Sequence, residues 1–401
     1  MTTNPFETIP TEAEELQPWI VEHRRHLHRF PELSYQEAKT SEYLRSQVKQ
    51  LGYTPVMVRE GCHGFYADII APKNPERFVA IRADMDALPI VEETGLTFSS
   101  ENKGVGHLCG HDSHCAMLLG ATKLLSMRQA DLPYSVRLFF QHAEEVPPGG
   151  ALDFIKAGAL DRVEHCFGLH VRPWLPVGAL SVVPGPQMAG ATVVKIIVRG
   201  RGGHAATPHE TTDAILAASA IVVAVQQVVS RRTNPFDQAI VSLCEIHGGN
   251  AHNVIPEEVT IIGTTRGFTQ EKLRRTNDHL REVAKLTASA YGCEAEVEID
   301  EGYPALVNDP VASQILSRAA GAVVGERNVS HDFTTMGGED FAYFCAELPS
   351  AFGFLGVEYE GAAHYPLHHP KFHPHESAFW RGAAILALAP YAAHEHHAAA
   401  R

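Results

Sequence analysis

Residues 106–115 concentrate two thiols (Cys109, Cys115), three imidazoles (His107, His111, His114) and one carboxylate (Asp112) in ten positions. Such groups are costly to bury unpaired, whereas a divalent metal satisfies several of them together. The apolar run Ala116-Met117-Leu118-Leu119-Gly120-Ala121 follows directly and predicts a buried helix, with the cluster on the loop that enters it. Loops at helix starts on a rigid scaffold are favourable places for chemistry. A polar turn whose histidines only face solvent is the competing reading, and the remaining sequence decides between the two.

Apolar runs at residues 65–70, 78–82, 135–140 and 165–169 read as strands. The second leads into Asp84 and Asp86, the third into Gln141-His142-Ala143-Glu144-Glu145, and the fourth ends at His170. Strands that each deliver Asp, Glu or His at an exit, separated by helices, are what an open α/β sheet with a site beyond its strand ends produces. Two helices precede the sheet. Thr11 to Glu14 fits a capping box ahead of Leu16, Ile20, His23 and Leu27, with a break at Pro31. Ser34 and Glu37 repeat the box ahead of Ala38, Leu44, Val48 and Leu51, and Gly52 is the stop.

The pattern changes near Pro184-Gly185-Pro186. Strands are expected at 191–198, 239–246, 259–266 and 295–299, with helices at 212–229 and 270–288, which is the ferredoxin-like β-α-β-β-α-β order. The expected class is therefore α/β. A catalytic domain with a mostly parallel central sheet flanked by helices occupies 1–186 and 301–401, interrupted at 187–300 by an inserted ferredoxin-like α+β dimerisation or lid domain. The second catalytic segment holds a helix at 310–321, the turn Met336-Gly337-Gly338-Glu339-Asp340, a helix at 341–348 and a strand at 352–356. A second histidine cluster follows at 364–376, then a closing helix at 377–388 and a frayed tail at 395–401.

A length of 401 residues suits two unequal domains, and 45% apolar with 20% charged residues describes an ordinary ordered protein. The net charge of −14 argues against nucleic acid or an anionic membrane as partner. The first residues show neither a basic nor an apolar leader region, no later run approaches a membrane span, and a cytoplasmic location is expected. Seven scattered cysteines do not make a disulfide framework, while 24 histidines point toward metal chemistry.

Cys109, His111, one or both of Glu144 and Glu145, His170, and one of His368 or His369 supply donors for two divalent ions with a shared ligand. The S, N and O mixture suits zinc first, with manganese, cobalt or nickel as alternatives, better than magnesium. In an adjacent glutamate pair, one carboxylate can coordinate while the other takes a proton from acidified water, which is hydrolytic chemistry. Arg266, at the end of a strand of the inserted domain, is placed to grip a substrate carboxylate through a bidentate fork, or is an ordinary surface arginine.

From Arg25-His26-Leu27-His28-Arg29-Phe30-Pro31-Glu32-Leu33-Ser34 onward the chain resembles the M20 metallopeptidase family, in its amidohydrolase branch of N-acyl-amino-acid, hippurate and auxin-conjugate hydrolases. The likeness runs through Arg82-Ala83-Asp84-Met85-Asp86-Ala87-Leu88-Pro89, Cys109-Gly110-His111-Asp112-Ser113-His114, Gln141-His142-Ala143-Glu144-Glu145 and Gly168-Leu169-His170-Val171. It continues through Gly202-Gly203-His204-Ala205-Ala206, Asn253-Val254-Ile255-Pro256, Gly338-Glu339-Asp340-Phe341 and Leu367-His368-His369-Pro370.

The resemblance implies Glu144 as general base and Glu145, Cys109, His111, His170 and His368 as metal ligands. His368 is preferred to His369 because the motif sets its ligand two residues before Pro370. Asp86 is similar to the aspartate that orients a ligand or the base. His204 and Asn253 resemble groups that reach the scissile carbonyl or the substrate carboxylate, with His204 supplied by the partner subunit of a homodimer or higher homo-oligomer. Asp112 and His114 are expected to support the site and Cys115 to lie in the core. Three features depart from the family's usual pattern: His142 in place of Pro, Ser113 in place of Gly, and the stiff Val146-Pro147-Pro148-Gly149-Gly150 turn. They bear on the acyl pocket and remove no ligand. The implied reaction is hydrolysis of a small-molecule N-acyl amino acid to a carboxylic acid and a free amino acid. A carboxypeptidase or dipeptidase of the same fold, and a non-catalytic metal-stabilised binding scaffold, are the alternatives.

Overall fold

A computed structural model describes residues 4–358, 361 and 365–399. His364, which opens the second histidine cluster, and the last two residues of the tail lie outside the described residues. The chain divides into two compact units, one of Met1–Gln187, Val307–Thr334 and Glu339–Arg401, the other of Met188–Leu306 and Thr335–Gly338. The second unit thus reaches past residue 300 and includes a short returning segment that the expected boundaries omit. Backbone pairing explains the return: Met188 bridges Thr335 in parallel, and the Ala189 N–H donates to the Thr335 carbonyl.

The larger unit is built on an eight-stranded sheet. Its centre consists of Ser135–Gln141, Phe78–Asp84, Val163–Pro176 and Ser350–Glu358, all parallel. Phe78–Asp84 and Ser135–Gln141 are buried at every residue, as parallel strands covered on both faces should be. The sheet is mostly parallel, as expected, but mixed at its flanks. Val56–Met57 runs antiparallel to Phe65–Ile69, which itself runs antiparallel to Ser135–Gln141. Leu180–Ser181 runs antiparallel to Ser350–Glu358. The connections explain this: Val163–Pro176 turns into Leu180–Ser181 through three residues, too few for a parallel crossover.

Helices His111–Ser126 and Phe379–Ala399 pack together against the sheet. The first helix starts at Pro5, not at the Thr11 box: Asn4 caps it through Phe6 N, and Pro5 takes the first position. The chain breaks at Leu16, and Gln17–Arg29 carries Pro18 in its first turn, where a missing N–H is harmless. Ser34 and Glu37 do not cap the next helix either. Glu32 does so instead, accepting from Thr40 N at 2.8 Å and Thr40 Oγ1 at 2.9 Å. The tail is not frayed as expected, since the last helix continues through Pro390 to Ala399 and places His397 on His165 with ring centroids 5.3 Å apart. Among the described residues no helix is long and apolar enough to cross a membrane.

The smaller unit is a four-stranded antiparallel sheet in the order Ala239–Gly248, Glu258–Gly267, Gly190–Arg199, Glu294–Glu301. Helices Ala214–Ala224 and Gln270–Ala290 join its core of Val194, Ile196, Val198, Ile221, Ile261 and Leu280. Asp213 caps the first helix through Ile215 N and Leu216 N. That helix stops short of the expected residue 229, and a wider turn over Val228–Arg232 follows.

Candidate metal centre

The loop leading into His111–Ser126 turns at Gly110, whose φ of 99° suits glycine, and a Cβ there would come within 2.4 Å of Val171 Cγ2. Close approach to the next strand is what brings Cys109 and His111 to His170. His111 is fully buried. Its Nδ1 lies 3.0 Å from the Asp86 carbonyl and 3.2 Å from Asp86 Oδ1, so Nδ1–H donates to Asp86 and the Nε2 lone pair faces the site. Around that Nε2 stand Asp84 Oδ2 at 3.7 Å, Glu145 Oε1 at 3.8 Å and Glu144 Oε2 at 3.9 Å, and among the described residues Nε2 has no hydrogen-bond partner. These separations are too long for hydrogen bonds. They match donors arranged about a shared ion, where bonds of about 2.0–2.3 Å set neighbouring donors roughly 3–4 Å apart.

His170 repeats the logic. Its Nδ1 donates to the Val171 carbonyl at 2.8 Å, leaving Nε2 3.3 Å from Cys109 Sγ. His368 adopts a positive φ of 65°, with its N–H held by the Leu108 carbonyl at 2.7 Å, and brings Nε2 to 3.3 Å from Glu145 Oε1. His369 instead accepts from Lys371 N at 3.1 Å and stacks on Tyr365. Cys109–His111–His170, Cys109–Glu145–His368 and His111–Glu144–Glu145 each form a set with donor atoms within 4.8 Å of one another. Because Cys109 and His111 each belong to two sets, the donors suit two divalent ions that share a ligand. His114 has both nitrogens engaged, Nδ1 with Asp84 Oδ1 at 2.6 Å and Nε2 accepting from Val171 N at 3.0 Å. Asp112 turns away toward Arg24 Nε and His28 Nδ1, each at 2.8 Å, and the Cys115 thiol donates to the Asp84 carbonyl in the core.

Negative charge is in excess here. Asp84, Asp86, Glu144, Glu339 and Asp340 are all buried, and the buried Arg82 pairs with Asp84 at 2.7 Å, Asp340 at 2.8 Å and Glu339 at 2.9 Å. Burial, then the carboxylates of Glu339 and Glu145, raise the Glu144 carboxyl well above its ordinary pKa. Burial also acts upward on Asp86, but hydrogen bonds from His111, Glu145 N and Ser34 outweigh it and hold Asp86 low. Burial opposes protonation of His111, yet Asp84 and Asp86 overcome it and push the ring up to about 10. Burial, with Glu145 and Glu144, raises the Cys109 thiol well above its usual value. The field at His111 Nε2 is that of a cation site.

Asp84, Arg82, Ser34 and Glu37, together with Glu339 and Asp340, escaped the sequence-based assignment. Asp84 ends the strand Phe78–Asp84 two residues before Asp86, and Arg82 shares its parity within the strand, so those two side chains fall on one side. That spacing was the available signal. Ser34 Oγ donates to Asp86 Oδ2 at 2.7 Å, an oxygen that also accepts from Glu145 N at 2.9 Å. Glu37 Oε1 accepts from Ala143 N at 2.8 Å. The sequence offered nothing for these two beyond the false capping box.

In the smaller unit, His204 and Asn253 come together. Gly203–His204 pairs with Val254–Ile255, Val254 stands opposite His204, and Ala205 N donates to the Asn253 carbonyl at 3.1 Å. Both residues are exposed, and His204 Nδ1 accepts from Ala206 N at 3.0 Å. Arg266 sits on a different element, the inner strand Glu258–Gly267 between Ile240 and Ala191, where burial lowers its pKa.

Comparison with known proteins agrees with this arrangement. The chain is 37% identical over 382 residues to the N-acetyl-L-cysteine deacetylase of Bacillus subtilis (strain 168), a match covering 95% of this chain and 89% of that protein. It is 38% identical over 379 residues to the IAA-amino acid hydrolase ILR1-like 4 of Arabidopsis thaliana, covering 92% and 84%. The crystal structure of Bacillus subtilis YXEP, described as a dinuclear metal binding peptidase from the M20 family, matches with a TM-score of 0.83 at 33% identity, over 94% of this chain and 98% of that one. Residues 80–391 match Peptidase family M20/M25/M40 as a whole. With N, S and O donors for two ions converging at adjacent glutamates, the first of them buried, and with relatives matched over nearly their full length, the chain is a metal-dependent hydrolase that belongs to peptidase family M20/M25/M40.

Proposed function

We propose that this chain hydrolyses the amide bond of N-acyl amino acids, releasing a carboxylic acid and a free amino acid. The observation that carries the reading is Glu144: a buried carboxyl with raised proton affinity, adjacent in sequence to Glu145 and 3.9 Å from His111 Nε2. Cys109, His111, Glu145, His170 and His368 would hold two divalent ions, zinc by preference for this S and N donor set, with manganese, cobalt or nickel as alternatives. Ions held there supply Lewis acidity, lowering the pKa of water toward neutrality and polarising the substrate carbonyl.

Glu144 takes the proton from the attacking water and returns it to the leaving amine. An ordinary carboxylate would hold that proton too weakly near neutral pH, and burial among other carboxylates corrects this. Asp86 fixes the tautomer of His111 and, through Glu145 N, the direction of the Glu145 backbone. His204 presents Nε2, its Nδ1 being engaged, as donor to the oxyanion in the site of a partner subunit, with Asn253 beside it to bind substrate. Arg266 grips the amino-acid carboxylate. On this reading the smaller unit is a ferredoxin-like dimerisation domain at about residues 187–300, and the enzyme is a cytoplasmic homodimer or higher homo-oligomer. The names of the deacetylase and the IAA-amino acid hydrolase support the substrate class.

The test is release of free amino acid from N-acetyl and N-benzoyl amino acids. Turnover is expected with metal-loaded enzyme, abolished by a chelator and restored by metal. Glu144→Gln should lower kcat by about 10²–10⁴-fold with metal content unchanged. Binding of these amides with turnover indifferent to that substitution would overturn the assignment.

A further inference from the structure

In the same large unit, and sharing no residue with the three donor sets of the catalytic centre named above, Cys62, His142 and Asp153 form another mixed donor set, with one S, one N and one O within 4.8 Å of one another. They arrive from three segments: the loop before Phe65–Ile69, the exit of Ser135–Gln141, and the helix Ala151–Lys156. The His142 side chain is 1% exposed; its Nε2 lies 3.2 Å from Asp153 Oδ2, and among the described residues Nδ1 has no hydrogen-bond partner. A buried imidazole nitrogen left without a partner is destabilising unless something else satisfies the ring. The surrounding backbone is shaped to admit the ring. A Cβ at Gly64 would come within 2.5 Å of His142 Nδ1, and one at Gly150 within 1.9 Å of the His142 carbonyl oxygen. Cys62 is also buried, its thiol directed at the carbonyls of Arg59 at 3.3 Å and Gly64 at 3.7 Å. The hydrolytic reading gives none of the three side chains a metal-binding or proton-transfer role.

We propose that Cys62, His142 and Asp153 bind a single divalent transition-metal ion, zinc by donor type, separate from the two-ion centre. Thiolate, imidazole and carboxylate are the three commonest zinc donors, and a tetrahedral ion with bonds of about 2.0–2.3 Å needs donors roughly 3.3–3.8 Å apart, within the spread seen here. Asp153 is 15% exposed, which leaves the fourth position open to water. Arg59 now holds Asp153 Oδ2 through Nε at 2.8 Å, but its side chain is 52% exposed and withdraws into solvent at little cost. On binding, the Cys62 S–H bond breaks, its proton leaves to solvent, and the sulfur lone pair forms the bond to the ion. The ion ties the Cys62 loop and the helix to the residue two positions before Glu144.

The experiment is zinc loading of the full-length enzyme, dialysis, and elemental counting of zinc per chain, for the wild type, Cys62→Ser and Asp153→Asn. Three ions per chain are expected in the wild type and two in each variant, with amide hydrolysis retained in both. Titration in weak buffer should show one more proton released per chain by the wild type than by Cys62→Ser. Equal zinc counts in wild type and variants, or a loss of more than one ion per chain in a variant, would overturn the proposal. The count is independent of turnover, so it stands or falls apart from the catalytic assignment.

Discussion

Ala143 sits at φ 52° immediately before the two glutamates. The left-handed region is unfavourable for a residue with a Cβ by about 1–2 kcal/mol, so something must hold it there. Its N–H donates to Glu37 Oε1 at 2.8 Å, and Glu37 is fully buried, its carboxyl pushed up to about 8 by burial and by Asp86. Glu37 is therefore a positioning residue for the turn that aims Glu144. Glu37→Ala leaves a buried N–H unanswered and should destabilise the fold by about 1–3 kcal/mol, read in the denaturation midpoint. It should also lower kcat more than it raises KM, and Glu37→Gln, which keeps an acceptor, should recover most of both. Ala143→Gly removes the Cβ strain and should leave the midpoint unchanged or higher. A Glu37→Ala variant with wild-type kcat would show that the turn holds itself.

At the scale of elements, the helices Gln17–Arg29 and Ala38–Gln50 meet through His23, which is 7% exposed, lies edge-on to Trp19 at 4.0 Å and bonds Tyr43 through Nδ1. Burial, with His26 and Lys123, lowers its pKa from 6.5 to about 4. The unfolded chain therefore binds the proton more readily than the folded one across that window. The contribution of His23 to stability is complete above pH 6.5 and is lost as pH falls toward 4. His23→Phe should flatten the fall in unfolding free energy over that range, and an unchanged slope would assign the acid sensitivity elsewhere. Elements of this kind were legible in sequence because apolar runs and polar exits are local patterns: Asp86, Glu144 and Glu145 each follow a strand that the hydrophobic pattern locates, whereas His170 lies inside Val163–Pro176, which runs six residues past the expected end. What was not legible depends on distant neighbours. Arg82 reads as a charge interrupting an apolar strand until its partners Glu339 and Asp340 are found 257 and 258 residues away. Ser34 and Glu37 carry the local signature of a helix cap, yet tertiary contacts with Asp86 and Ala143 outweigh that use. His397 falls in an Ala- and His-rich end that looks unstructured until His165 supplies a packing partner.

Across the whole molecule, the charge balance of the centre links metal content to stability. Without ions, the larger unit must hold the Asp84, Asp86, Glu144, Glu339 and Asp340 carboxyls in its core with Arg82 as the cation paired to three of them. The response is proton uptake: Glu339 is pushed up to about 8 by burial, with Arg82 opposing and Asp84 and Asp340 adding, and His111 is raised to about 10. Glu339 unfolded has a pKa of 4.5, so its stabilising proton is retained below that value and lost as pH rises through 8. Glu37 loses stability in the same direction over the same range, and His111, raised above 6.5, begins to do so. His23 is already neutral above 6.5 and does not oppose them. Chelated protein should therefore lose stability steadily between pH 6.5 and 8. Metal-loaded protein should lose less, because divalent charge replaces the protons, and ions present at 100 times their dissociation constant add about 2.7 kcal/mol each. Calorimetric melting of both forms at four or five pH values in this window measures the difference. Parallel curves for the two forms would mean that the buried carboxylates are balanced by the protein alone, and the reading of the centre as a cation site built on excess negative charge would fail.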